Sequence, residues 1–462
     1  MQNLRSVLVG DRAFYKAVLS IVTPIIVQNA ITNFVSLLDN VMVGQVGTVQ
    51  MSGVAIANTL LFVYTLCIFG AISGAGIFGA QFAGAGDHEG VRASFRYKIL
   101  VSALLLVLAL VVFIWLGEPL IRLYLTDPSD PQATQATLQH GLAYLRIMLW
   151  GLLPLTLSTC YAGTLRETGE TILPMVASIA AVLTNLCGNY VLIFGHFGFP
   201  ALGVEGAAIA TVISRYVELA VILLTVHRHP DRFPAFCGAW RTMKIPRRLF
   251  VDITLKGMPL LVNECFWSTG QAFLAQLYSV RGLLVVAGFN ISNTVVNLFS
   301  TVYLSMGNAA AILVGQALGA DEPARAKKTA WQIIALNVEA CVALGVITVL
   351  VAPLIPRFYN TTDEVRALAS TFIRTNACFM PVFAFAHCTY FVLRSGGKTL
   401  VTFLFDSAFS WVVCVPVAAA LIYLTALPMQ TIYALVLSLD IIKCLLGYAF
   451  VKKGVWIHNI VK

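Results

Sequence analysis

The sequence predicts an all-α polytopic membrane protein: twelve transmembrane helices in two parallel six-helix repeats. Three observations predict it. Hydrophobic residues make up 59% of the 462 and charged ones only 11%, with a mean hydropathy of +0.84, whereas an average soluble domain carries roughly 25% charged residues. Basic residues fall on alternate connections between the apolar runs. The second half of the chain repeats the first at a fixed offset. The composition excludes a soluble enzyme, a nucleic-acid binder and a secreted disulfide scaffold, and at about 20 apolar residues per crossing of a ~30 Å hydrocarbon core the chain has room for roughly twelve spans.

The first span, 17–43, has Arg5, Arg12 and Lys16 ahead of it and contains Pro24 and Asp39. It has no small-residue cleavage site behind a short apolar core, so it reads as a retained span and not a signal peptide. The second, 50–80, carries Gly70, Gly74, Gly76 and Gly79, small residues that let helices approach closely. Spans 97–117, 141–164, 171–194 and 203–226 complete the first half. The segment 227–250 is the longest basic connection and reads as a linker between an N-lobe, 1–226, and a C-lobe, 251–462. The second half holds spans 251–280, 283–317, 329–352, 370–393, 400–424 and 429–451. Pro24, Pro259, Pro381 and Pro416 each remove a backbone donor inside or near the end of a span and are expected to kink it.

Alternating the connections places twenty-one Lys and Arg on one side, against Arg122, Arg281, Arg357 and Arg366 on the other. This bias puts both termini in the cytoplasm and the protein in the plasma membrane. The net charge of +9 then reflects orientation and not an acidic partner. The ten cysteines include no C-x-x-C pair and mostly sit in apolar runs, among them Cys67, Cys187, Cys265, Cys341, Cys378 and Cys414; they read as reduced core residues.

A shift of 235 pairs Pro24 with Pro259, Gly47 with Gly282, Gly53 with Gly288, Ile56 with Ile291, Asn58 with Asn293, Gln81 with Gln316 and Gly84 with Gly319. A shift of 228 pairs Leu165 and Arg166 with Leu393 and Arg394, Gly169 with Gly397 and Thr171 with Thr399. A six-span module duplicated in tandem gives parallel repeats, related by an axis along the membrane normal and facing a central cleft. That plan favours a transporter working by alternating access.

An ionisable group in hydrocarbon is costly, about 2.5 to 3.5 kcal/mol on insertion scales, so each acid within a span needs a partner or a task. Glu218 lies three residues from Arg215, and Asp440 three from Lys443; both pairs read as structural. Asp252 and Asp406 lie toward cytoplasmic ends, where Lys256, Arg394 or Lys398 could neutralise them. Glu339 has no same-helix partner, and Arg374 or a cavity is open to it. Asp39 has no local partner. Asn185 and Asn189, spaced i,i+4, share a helix face at comparable depth, with Asn58 in the outer half of span two. Together they form an oxygen site for Na⁺, a carboxyl that exchanges a proton, or an amide network that holds helices together. Glu264, beside Asn263, Phe266 and Trp267, offers charge and aromatic faces to an organic cation, or is a carboxyl hydrogen-bonded across helices. Asn290, Asn293 and Asn297 form an i, i+3, i+7 stripe suited to lining the cleft. His387 titrates in the range of a proton relay, but a single membrane histidine is more often a hydrogen-bonded structural residue.

The chain resembles the multidrug and toxic compound extrusion (MATE) transporters over nearly its whole length. The motifs that carry the resemblance are P-I-I-V-Q-N-A and L-D-N-V-M-V-G-Q-V-G in span one, G-A-Q-F-A-G-A-G-D after span two, L-R-E-T-G-E-T before span five and N-L-C-G-N-Y-V-L-I-F-G through it. G-M-P-L-L-V-N-E-C-F-W in span seven, V-G-Q-A-L-G-A after span eight and L-R-S-G-G-K-T before span eleven complete the set. The resemblance implies a V-shaped pair of six-helix lobes that exports cationic or amphipathic compounds in exchange for H⁺ or Na⁺, with no cofactor beyond that gradient, as a monomer in the lipid bilayer. It matches Asp39 to the family's first-helix aspartate, Asn185 to the fifth-helix asparagine and Glu264 to the seventh-helix acid. Asn189 stands where one subgroup has an aspartate, and span ten lacks the carboxylate of another. Both departures favour H⁺, and Na⁺ coupling would draw on Asp39, Asn185 and Asn189. The rival within the wider superfamily is a lipid-linked saccharide flippase, which would need basic cavity residues; only Arg146, Arg215 and Arg374 are arginines deep in spans. A membrane-embedded hydrolase or a receptor is disfavoured, because neither H-E-x-x-H nor G-x-S-x-G occurs.

Overall fold

A computed structural model describes residues 9–125, 131–359 and 361–462. Arg5, one of the basic residues assigned to the cytoplasmic side, lies outside the described residues. In chain order the long helices are α1 (Arg12–Gly44), α2 (Thr48–Gly84), α3 (His88–Arg122), α4 (Pro131–Glu167), α5 (Ile172–Phe194) and α6 (Gly203–Arg228). They continue as α7 (Arg247–Ser279), α8 (Leu283–Gly319), α9 (Pro323–Val351), α10 (Asp363–Ser395), α11 (Thr399–Leu424) and α12 (Met429–Lys453). No strand occurs among the described residues. Eleven of these helices are long and apolar enough to cross a membrane. The exception is α7, a 33-residue helix whose Asn263, Glu264, Ser268, Thr269 and Gln271 lower its hydropathy. Several helices run past the apolar spans by one or two turns, because polar residues at a membrane surface continue a helix freely. Thus α3 begins at His88, nine residues before the span read from the sequence.

The duplication is visible in the backbone. Gly47 and Gly282 both have positive φ (150° and 108°), as do Gly169 and Gly397 (89° and 73°). Glycine adopts these conformations without the steric cost of a Cβ, so each pair turns the chain at the same place in the two repeats. One helix breaks the correspondence. α5 is regular, whereas α11 widens into π-helical turns at Leu404–Ala408 and Ser410–Cys414.

The chain divides into two compact units. One, the N unit, comprises Val27–Gly79 and His88–Val251; the other, the C unit, joins residues up to Ile26 and Ala80–Asp87 to Asp252–Lys462. In the N unit the segment after α6 seats against α3 and α4: Trp240 Nε1 donates to the Tyr161 hydroxyl at 2.7 Å, and Phe236 stacks on the Tyr161 ring at 5.2 Å. Lys98, wholly buried, pairs with Glu167 at 2.5 Å and donates to Thr164 at 2.9 Å.

The core of the C unit collects Val18, Ile21 and Val22 of α1 with Ala309, Ile333, Val392 and Trp456. Gln81 is fully buried there. Its Nε2 donates to the carbonyls of Ser395 (2.9 Å) and His458 (3.2 Å), and its Oε1 accepts from the Ile460 amide at 2.8 Å. A Cβ on Gly84 would collide with the backbone carbonyl of Gln316, and one on Gly319 with that of Gln81. The two repeat-related Gln and Gly pairs therefore pack backbone to backbone. The cysteines depart in part from expectation: all ten are free, but Cys187, Cys265 and Cys378 lie exposed on helix surfaces and not in the core.

Candidate functional site

In the N unit, α1, α5 and α6 build a polar cluster around Asp39. The aspartate lies five residues from the end of α1, roughly 8 Å along the axis. Asn189 Nδ2 donates to its Oδ1 at 2.6 Å. With the Asn185 amide oriented by its neighbours, its nitrogen donates to both carboxylate oxygens, at 2.8 and 3.0 Å, and its Oδ1 accepts from Thr211 Oγ1 at 3.1 Å. Both asparagines are buried on one face of α5. Small residues bring α6 close enough to complete the cluster: Gly188 packs against Ala210, and Gly206 against the backbone of Leu192.

The Asn189 Oδ1 is buried and has no hydrogen-bond partner. Buried polar atoms are nearly always satisfied, so such an atom beside a carboxylate points to something that binds or moves there. Among the described residues no Lys or Arg nitrogen comes within ion-pair distance of Asp39; Arg215 acts on it only at longer range and pairs with Glu218 at 3.2 Å. Asn58 joins indirectly, accepting from the Tyr144 hydroxyl at 3.2 Å. Thr211 and Tyr144 escape the sequence reading. The signal for Thr211 was its place one turn before Arg215 on α6; Tyr144 carries no signal beyond its hydroxyl.

In the C unit, Glu264 is half-buried, and its carboxylate makes no hydrogen bond or ion pair among the described residues. Arg394 and Asp406 act on it at longer range. Trp267 (36% exposed), three residues on, shares its side of α7, whereas Phe266 (48%), two residues on, is turned away from it. Phe266 meets Phe403 and Trp411 edge-on at 6.0 and 6.5 Å, which extends the aromatic surface across α7 and α11.

Asn263, expected beside Glu264 as a substrate ligand, is instead sealed into the seam between α7, α10 and α11. It is 2% exposed. Its Nδ2 donates to Asp406 Oδ2 (3.2 Å) and the Tyr390 hydroxyl (3.3 Å), and its Oδ1 accepts from Ser407 at 2.7 Å. A side chain next to Glu264 in sequence points about 100° away from it on a helix, which is why the two part company. Asp406 also departs from expectation: its cation is Lys443 of α12 at 3.6 Å, not Arg394 or Lys398. Asn290 and Asn297 are exposed and Asn293 half-exposed on one face of α8, their side-chain amides without a protein partner among the described residues. His387 is tied by Nδ1 to the Phe383 carbonyl at 2.9 Å and packs on Tyr303 at 4.9 Å; it touches neither Glu264 nor Asp406. The pairs Arg215–Glu218 and Lys443–Asp440 form as the spacing suggests. Glu339 and Arg374 are exposed.

Among the described residues no group of three or more His, Cys, Asp or Glu could hold a metal. A small, mainly apolar pocket between α8, α9 and α10, lined by Phe299, Tyr303 and Met380 among others, touches neither carboxylate.

The sequence profile of the MatE family matches this chain twice, over residues 24–191 and 259–420. Both matches begin at the proline that opens each repeat. The chain is 23% identical over 410 residues to a probable multidrug resistance protein, NorM, of Thermotoga maritima, covering 88% of this chain and 85% of that one. It is 26% identical over 364 residues to the multidrug resistance protein MdtK of Edwardsiella ictaluri, covering 77% and 76%. In fold it is similar to the Vibrio cholerae MATE transporter VcmN, with a TM-score of 0.84 at 17% identity over 96% of this chain and 97% of that one.

Proposed function

The chain belongs to the MatE family, and from that premise we propose that it is a secondary active antiporter exporting cationic or amphipathic organic compounds in exchange for protons. The observation that carries the proposal is Asp39, a carboxylate inside a membrane-spanning helix held by neutral amide donors, with one buried amide oxygen left over. Two amides donate to the ionised Asp39 carboxylate. Once protonated, the carboxyl becomes a donor and needs an acceptor. Turning over the Asn189 amide supplies one, because its unpartnered Oδ1 then stands where Nδ2 stood, and no bond to that oxygen is broken. An alkali ion asks for more: several oxygens must converge on it, and both asparagines now present nitrogen to the carboxylate.

Cargo binding falls to the C unit. Glu264 has an unengaged carboxylate one turn from Trp267, a combination that attracts a delocalised organic cation by charge and by the quadrupole of the ring. The exposed asparagine stripe of α8 adds adaptable polar contacts. That the named relatives are multidrug resistance proteins supports this class of cargo. The excess of Lys and Arg on alternate connections supports a plasma-membrane protein with both termini on the cytoplasmic side. Sodium coupling is the second reading, favoured by the oxygen-rich make-up of the Asp39 cluster.

Efflux of a fluorescent cationic dye from vesicles holding the purified protein tests the proposal, with a proton or a sodium gradient imposed separately. Movement driven by the proton gradient alone is expected. Movement driven by sodium alone would reassign the coupling ion, and no movement with either gradient, in folded protein, would overturn antiport.

A further inference from the structure

The C unit holds a group of charges that the antiport reading leaves without a task. Lys443 sets its ammonium 3.2 Å from Asp440 Oδ1, one turn away on α12, and 3.6 Å from Asp406 Oδ1 on α11. Its Nζ lies 5.5 Å from the centre of the Phe409 ring. The lysine side chain is 12% exposed and the two aspartates 20 to 23%. Asp406 is itself fixed: its Oδ2 accepts from Asn263, and the next residue, Ser407, donates to both the backbone and side-chain oxygens of Asn263. Both Asp406 and Phe409 belong to the stretch where α11 opens into π-helical turns, a departure from α geometry that recurs at functional sites. The other titratable groups within electrostatic range are Glu264, His387, the thiols of Cys414 and Cys444, and the hydroxyls of Tyr278, Tyr303 and Tyr390.

Two carboxylates brought together from neighbouring helices, with a ring face at one side, form a ligand set for a small cation. An ammonium on a flexible stem is a compact point charge, and here it stands between the carboxylates where a dissolved alkali ion would stand. With Lys443 in place the trio carries one net negative charge. Without it the charge is two, in surroundings where an uncompensated charge is costly.

We propose that Lys443 is a built-in counter-ion that fills the Asp406–Asp440 carboxylate site and makes the C unit indifferent to sodium. The inference rests on the ion-coupled antiport reading and specifies its ion selectivity: exchange is left to Asp39, and the second carboxylate pair already holds a cation of its own. Lys443 is then a selectivity residue, and its removal creates a sodium site in place of abolishing one.

The test is equilibrium binding of radioactive ²²Na⁺ to purified protein, together with its melting temperature in NaCl against choline chloride. All Lys443 variants carry Asp39→Asn, so that sodium held in the N unit does not count, and the unmutated chain is titrated beside them. The Asp39→Asn protein itself is expected to bind no sodium. Adding Lys443→Met is expected to yield sodium binding near one ion per chain and a melting temperature that climbs with NaCl only. A further Asp406→Asn erases both effects, and Lys443→Arg in place of Met behaves as lysine does. Where Lys443→Met does not survive purification, Lys443→Met with Asp440→Asn keeps the original net charge and goes through the same titration, with weaker sodium binding expected. Folded protein lacking Lys443 that ignores sodium would overturn the proposal, and so would Asp406-dependent sodium binding while Lys443 is present. Sodium bound by the unmutated chain and lost with Asp39→Asn would instead overturn proton coupling and leave the role of Lys443 standing.

Discussion

Asp39 in the N unit and Asp406 in the C unit are both aspartates within a membrane-spanning helix, and an asparagine from another helix donates to each. They differ in what else reaches them. Asp39 receives a second amide and no cation at bonding distance, whereas Asp406 shares a lysine with Asp440. A carboxylate solvated only by neutral dipoles keeps its charge available for exchange. One that shares a tethered ammonium already has a cation at bonding distance, and gains less from a passing ion. The difference separates a group that can exchange its ion each cycle from one that is permanently compensated.

The largest test of that contrast is Asp39→Asn, which keeps the shape and removes the charge. It is expected to abolish gradient-driven dye efflux and its dependence on external pH, with normal expression and folding; pH-dependent efflux at the original rate would break the comparison. Glu264→Gln is expected to weaken binding of a cationic dye about tenfold, roughly 1.4 kcal/mol, and to leave a neutral amphipathic dye untouched. Titrating both dyes by fluorescence quenching measures this, and equal losses for the two would remove the charge from the account. Thr211→Val deletes the hydroxyl that orients Asn185, a hydrogen bond worth about 1 kcal/mol. Its efflux rate should fall about fivefold, unlike Asn376→Leu, which lies in the C unit on Tyr433 and should change stability without changing the proton dependence of efflux. The smallest effect belongs to Trp267→Leu, where loss of a partly exposed ring face should cost a cation about 0.5 to 1 kcal/mol of affinity, read in the same dye titration.

Much of this was legible in the sequence, for physical reasons. The twelve helices follow from apolar runs that must satisfy their backbone within one segment, and the duplication from glycines whose backbone conformation no other residue replaces cheaply. Asp39, Asn185 and Asn189 could be grouped because two of them share a helix face and all three lie at one depth. What stayed hidden depends on which helices touch. Nothing local to Asp406 names Lys443 as its partner, since the two meet only when α11 packs on α12. Nothing local to Asn263 tells that it faces the α11 seam while Glu264, one residue on, does not. Thr211 and Tyr144 entered the Asp39 cluster by the same tertiary route. α7 shows the opposite limit: the polarity that fits it to a site lowers the hydropathy by which a span is recognised.

The widened turns of α11 carry a consequence for insertions and deletions. A π-helical turn holds about one residue more than an α-helical one, so after Cys414 the count of residues and the direction they face have slipped relative to α5. Removing a single residue between Phe403 and Val415 would close one of these turns to α geometry and leave the last ten residues of the helix facing as they do. Ala418 and Ile422 would stay in the core they share with Phe372, Ile432 and Tyr433. The same deletion in α5 would separate Asn185 from Asn189 and dismantle the Asp39 cluster directly. The first repeat is therefore vulnerable to a lost residue at its site, whereas the second has a widened turn that takes the loss up.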